Sequence, residues 1–221
     1  MSALSINYGM VLFPGFQALD VFGPLDALNL LSSKAQVKLS LIAHSKDPVS
    51  TMPPSDIHRN PTNSSCSQSI IPTHTFKNAP PLDVLIVPGG LGTRVEENIK
   101  PIVDFVKQRY PELSYLISVC TGAGILAKAG ILDGRRATTN KMAFEEIKSW
   151  RTEVKWVPAA RWVVDGNIYT AAGISAGIDT TLAFIQNIYG EALAEKIANE
   201  MEYDRHIDPS WDPFSKKLGL V

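Results

Sequence analysis

The sequence predicts an α/β protein built on a doubly wound, mostly parallel sheet with helices on both faces. Three observations predict it. Short, continuously apolar runs recur along the chain, as expected of strands buried on both faces. Each is closed by a Pro/Gly turn, and stretches of helical periodicity follow the turns. In such sheets ligands sit outside the carboxyl ends of the strands, so the turns after Phe13, Val87 and Val119 are expected to share one cleft.

Taken in order, residues 6–13 form an apolar run closed by Pro14-Gly15 and read as a buried strand. Leu19, Val21, Phe22, Leu25, Leu28, Leu30 and Leu31 follow at roughly helical spacing, with Pro24 read as a helix-start signal. Residues 37–44 alternate as a second strand, and the polar stretch 45–78 should carry loops and small strands. Residues 82–87 are another buried strand, ended by Pro88-Gly89-Gly90, with a helix over 100–108. Residues 115–119 form the next strand and run into Cys120-Thr121-Gly122-Ala123-Gly124, after which a helix over 125–129 stops at Gly130. Short strands are expected at 137–139 and 154–158, and a hairpin over 162–170 with Asp165-Gly166 in its turn. Helices over 177–189 and 191–203 divide at Gly190. One domain over 1–221 accommodates all of this.

Composition narrows the function classes. The 221 residues are 45% hydrophobic and 19% charged, which suits a folded globular chain. A formal charge of -1 and a pI near 6.4 supply no basic field for nucleic acid. The N-terminus has no secretory signal and no apolar run is long enough for a bilayer, so a cytoplasmic protein without a membrane partner is expected. Cys66 and Cys120 should be free thiols, and His44, His58, His74 and His206 lack metal-ligand spacing, so no metal is expected.

Cys120 is the first candidate for chemistry. It sits on a strand-to-helix turn, where free backbone N–H groups lower a thiol's pKa and small neighbours leave the sulfur uncovered; the competing reading is an inert buried cysteine. Asp20 lies in the apolar run Ala18-Leu19-Asp20-Val21-Phe22, either as a helix cap or as a partly buried general acid. Gly89 and Gly90 offer backbone N–H groups to an oxyanion or substrate, as does Gly122 after the cysteine, unless they merely make turns.

Assembled, Val11-Leu-Phe-Pro-Gly-Phe16, Leu19-Asp-Val-Phe-Gly-Pro24, the run from Leu82 to Gly90, Ser118-Val-Cys-Thr-Gly122 and Gly173-Ile-Ser-Ala-Gly-Ile-Asp179 resemble the DJ-1/PfpI (ThiJ/PfpI) superfamily over nearly the whole chain. The likeness is closest to its isonitrile hydratase-like branch, where the early acid is Asp and the cysteine is followed by Thr. The resemblance implies a flavodoxin-like, class I glutamine amidotransferase-like fold and a cofactor-free enzyme acting on a small molecule, mostly as a homodimer. Cys120 would be the nucleophile, Asp20 the acid/base partner, Thr121 an assisting hydroxyl and backbone donor, and Gly90 a second donor. Many relatives read Thr-Thr-His where this chain has Thr138-Thr139-Asn140, which works against a Cys-His triad because an amide carries no proton at neutral pH. Two alternatives stay open: action on methylglyoxal-type carbonyls, and a redox or stress-response protein sensing through Cys120 oxidation. Relatives with an added helix-turn-helix domain do not fit the chain length. The tail residues Trp211 and Phe214, with Tyr203 and Met201, either pack as an ordinary terminus, close the cleft or meet a second copy.

Overall fold

The computed structural model describes residues 6–53 and 62–221, so His58 lies outside the described residues. The chain runs β1 (Ile6–Val11), α1 (Ala18–Ser32), β2 (Val37–Ala43), β3 (Val49–Ser50), β4 (Ser69–Ile70), β5 (His74–Thr75), β6 (Val84–Val87) and α2 (Glu96–Arg109). It continues through β7 (Tyr115–Ser118), α3 (Gly122–Lys128), β8 (Arg136–Ala137), α4 (Phe144–Ser149), β9 (Lys155–Trp156), β10 (Trp162–Asp165) and β11 (Ile168–Ala171). Helices α5 (Ala176–Tyr189), α6 (Glu191–Glu200) and α7 (Pro213–Lys217) complete it.

The main sheet has seven strands in the order β10-β11-β7-β6-β1-β2-β5. All its pairings are parallel except the β10–β11 hairpin at one edge. Small two-stranded pairs, β3–β4 and β8–β9, form separate sheets, with β8 packed beside β10. β6 is Val-Leu-Ile-Val and wholly buried, as a central strand covered on both faces must be. Helices α1, α5 and α6 pack together, as do α2, α3 and α4, which gives the helical layers expected of a doubly wound sheet. Phe184 of α5 anchors the core through edge-to-face contacts with Tyr8, Tyr115 and Tyr169.

Two helix starts differ from expectation. Pro24 lies inside α1 instead of opening it, and α2 begins at Glu96 with Pro101 inside. Each proline removes one backbone donor, yet burial of the flanking apolar face holds the helix. At Gly23 a Cβ would come within 2.9 Å of Ile178 Cγ1, so α1 and α5 meet closely there. The short helices α4 and α7 are additional to the elements read from sequence. No helix among the described residues is long and apolar enough to cross a membrane.

β1 continues into α1 and on to β2 at one side, whereas β6 continues through α2 to β7 at the other. The β1/β6 boundary is therefore the switch point at which such sheets open a crevice. Asp20, Gly89-Gly90 and Cys120 follow the carboxyl ends of the three strands around it.

Candidate active site

The first turn of α1 carries Asp20, wholly buried. It is not the helix cap, a position taken by Gln17; its Oδ2 accepts the Gly89 N–H at 2.9 Å. Oδ1 is buried with no hydrogen-bond partner among the described residues, and the Cys120 thiol lies near enough to the carboxyl to lower its pKa. Burial pushes the Asp20 pKa up from 3.8 to about 7, outweighing the contacts with Gly89 and Cys120, both of which lower it.

Cys120 has φ +58°, the left-handed region, where a side chain with a Cβ is strained. The strand-to-helix turn is held from several directions: Cys120 N–H donates to Ala172 O at 2.9 Å, and Thr139 Oγ1 donates to Cys120 O at 2.9 Å. Ile174, with φ +40°, is a second strained residue beside it. Burial first, and the Asp20 charge second, push the thiol up to about 12, the reverse of the lowering expected from the helix start. The Ile174 and Thr121 N–H groups and the Asn140 side-chain amide beside the sulfur favour the thiolate, but they do not prevail.

The glycine donors are also arranged otherwise than expected. Gly89 N–H is donated to Asp20, Gly90 N–H to Thr121 Oγ1 at 3.0 Å, and Gly122 N–H to Val119 O at 2.9 Å. They therefore organise the site, and the backbone N–H groups that favour the thiolate are those of Thr121 and Ile174. The Thr121 hydroxyl is part of the same lattice, with Thr93 Oγ1 at 3.2 Å. Gly90 has φ +132°, and a Cβ there would stand 2.4 Å from both Gln17 N and Gly15 O. Gly90→Ala is accordingly expected to destabilise the fold by on the order of 3 kcal/mol or more, measured by chemical unfolding.

Above the sulfur opens a cleft of about 300 Å³, at the small end of ligand pockets. Leu91, Met142, Ala143 and Ile174 form its apolar wall, and Gln17, Asn140 and the paired Arg94 and Glu146 supply polar groups. None of the described histidines lines it. Among the described residues no group of three His, Cys, Asp or Glu side chains comes together as metal ligands. Cys66 is free and exposed, Cys120 free and buried. From the sequence, Asn140 reads only as a missing base, whereas in the fold its amide lines the cleft beside Cys120 and favours the thiolate. Ile174 lies in the motif over residues 173–179, but the side chain there gives no sign of a role that its backbone carries.

Comparison with known proteins bears on the family and the fold. The chain is 35% identical to an isonitrile hydratase from Pseudomonas putida over 201 residues, covering 90% of this chain and 79% of that protein. A ThiJ/PfpI family protein from Pseudomonas syringae superposes with a TM-score of 0.77 at 30% identity, covering 97% of this chain and 81% of that one. Drosophila melanogaster DJ-1beta shares the fold, with a TM-score of 0.71 at 18% identity over 90% of this chain and 99% of its own. The DJ-1/PfpI family model matches residues 9–187, well over half of the chain, and the chain belongs to that family.

Proposed function

We propose that this protein adds water to an isonitrile, R–N≡C, to give an N-substituted formamide, with Cys120 as nucleophile and Asp20 as acid/base partner. The observation that carries the reading is the pairing of a buried thiol with a buried carboxyl at a small cleft that no described histidine lines. The isonitrile hydratase relative supports the choice of substrate.

With Asp20 near 7 and the thiol far higher, the negative charge of the pair rests on Asp20 above neutral pH. Asp20 takes the thiol proton as sulfur bonds to the terminal carbon, then passes it to that same carbon. The product is a thioimidate, R–N=CH–S–Cys120. Water adds to its carbon, nitrogen takes a proton, and the C–S bond breaks to return the thiol and release R–NH–CHO. The sum is R–NC plus H₂O, with no electrons exchanged. While the sulfur carries charge, Asn140 and the Thr121 and Ile174 N–H groups favour it.

Cyclohexyl isocyanide incubated with the wild type should yield N-cyclohexylformamide by NMR, and Cys120→Ala should lower turnover by roughly a thousandfold or more. Absence of formamide from several isonitriles, with methylglyoxal consumed instead, would sink this reading.

A further inference from the structure

The loop between β8 and α4 is tied on two sides by neighbouring residues. On one side Thr139 Oγ1 donates to the Cys120 carbonyl, and the Asn140 side-chain amide lines the cleft together with Cys120. Gly173 makes room for that amide, since a Cβ there would lie 3.0 Å from Asn140 Nδ2. On the other side Lys141 Nζ donates to Thr138 Oγ1 at 2.6 Å and pairs with Asp212 Oδ2 at 3.2 Å. Both side chains of that pair are almost fully buried, at 4% and 2% exposure.

Asp212 belongs to the C-terminal tail. Its Oδ1 caps α7 by accepting Phe214 N–H at 3.0 Å and Ser215 N–H at 3.3 Å, and Ser215 Oγ donates to Pro158 O at 2.9 Å. A buried ion pair returns little net stability, and well-packed apolar residues often replace one without loss. Stability alone therefore gives weak reason for a lysine and an aspartate here, one residue away from a side chain that lines the cleft beside the sulfur.

We propose that the buried Lys141–Asp212 pair, its aspartate supplied by the C-terminal tail, positions Asn140 against Cys120, making Lys141 and Asp212 positioning residues of the site. The inference takes Cys120 as the reactive group, as the proposed function does, but its test needs no isonitrile turnover. The groups that face the sulfur are Asp20 from α1, the Thr121 and Ile174 N–H groups and Asn140; the Arg94–Glu146 pair also lines the cleft. Of these, only Asn140 adjoins the tail contact.

The test is the rate of Cys120 alkylation by iodoacetamide from pH 6 to 10, followed by intact mass in a Cys66→Ser background. Asp212→Asn removes the charge while keeping a good helix cap. It should slow alkylation at least fivefold and move its pH profile upward, as should Asn140→Ala, and the double variant should be no slower than either alone. If Asp212→Asn lowers the melting temperature yet alkylates as the wild type does, or if its effect adds in full to that of Asn140→Ala, the proposal is overturned. Should Asp212→Asn fail to fold, Lys141→Gln enters the same cycle with the same two readings.

Discussion

Asp20→Asn is expected to lose turnover by about 10²- to 10⁴-fold, the usual contribution of a positioned acid/base group, and to gain stability at pH 8. The gain follows from the proton balance. The unfolded carboxyl releases its proton around 3.8, whereas the buried native one holds it to about 7. Between those values the native state binds more protons, so stability falls as pH rises through that window. Asparagine carries no such cost, and it retains an acceptor for Gly89 N–H while presenting an amide to the sulfur. A rise of that size sets a ceiling of about 4 kcal/mol, and relaxation around the charge reduces this to about 1–3 kcal/mol. Urea unfolding of both proteins at pH 8 and pH 4 checks it: the difference should be present at pH 8 and nearly gone at pH 4. Equal stability at pH 8 would mean that burial places no cost on the Asp20 charge.

Asp179→Ala should produce the largest loss of stability. Asp179 is fully buried and its Oδ2 receives Arg161 Nε at 2.6 Å and Tyr203 Oη at 3.0 Å, while Oδ1 receives His206 N–H at 2.9 Å. Removing it strands a nearly buried guanidinium, which costs about 3–5 kcal/mol in comparable pairs. For a chain of this size that is a fall in melting temperature on the order of 10 °C. The tail should loosen as well, because Trp211 stacks on His206 with ring centroids 3.7 Å apart and lies under Arg161. Thermal unfolding by circular dichroism, with hydrogen exchange over residues 205–215, measures both. Arg161→Met in the same background should recover part of the loss; an unchanged melting temperature in Asp179→Ala would show that the network is dispensable.

Much of the fold is legible in the sequence because buried parallel strands announce themselves as apolar runs, and glycines mark where elements end. Gly130, Gly166 and Gly190 all have positive φ at the breaks read from sequence. The β10–β11 hairpin falls where Asp165-Gly166 predicts it. The starts of α1 and α2 are harder to read, since Pro24 and Pro101 are tolerated within helices whose buried faces outweigh a lost hydrogen bond. At the site, residue type points to Cys120 and Asp20, but charge state does not follow from position. A helix start favours the thiolate through its dipoles, yet burial and the neighbouring carboxylate decide the thiol's pKa, and neither can be read from the local sequence. Which backbone groups favour the thiolate also depends on backbone path: Ile174, inside the motif over residues 173–179, contributes through the N–H of a strained residue. The role of Asp179, within a motif read only as a family likeness, emerges from contacts with the tail.

If Asp20 and Cys120 work as a proton-sharing pair on an isonitrile carbon, kcat/KM for formamide formation measured against pH is the most direct test. The rate should rise through about pH 7, as Asp20 ionises, and then stay level to about pH 9. A profile flat from about pH 5 to 9, or no formamide at any pH, would contradict that pairing.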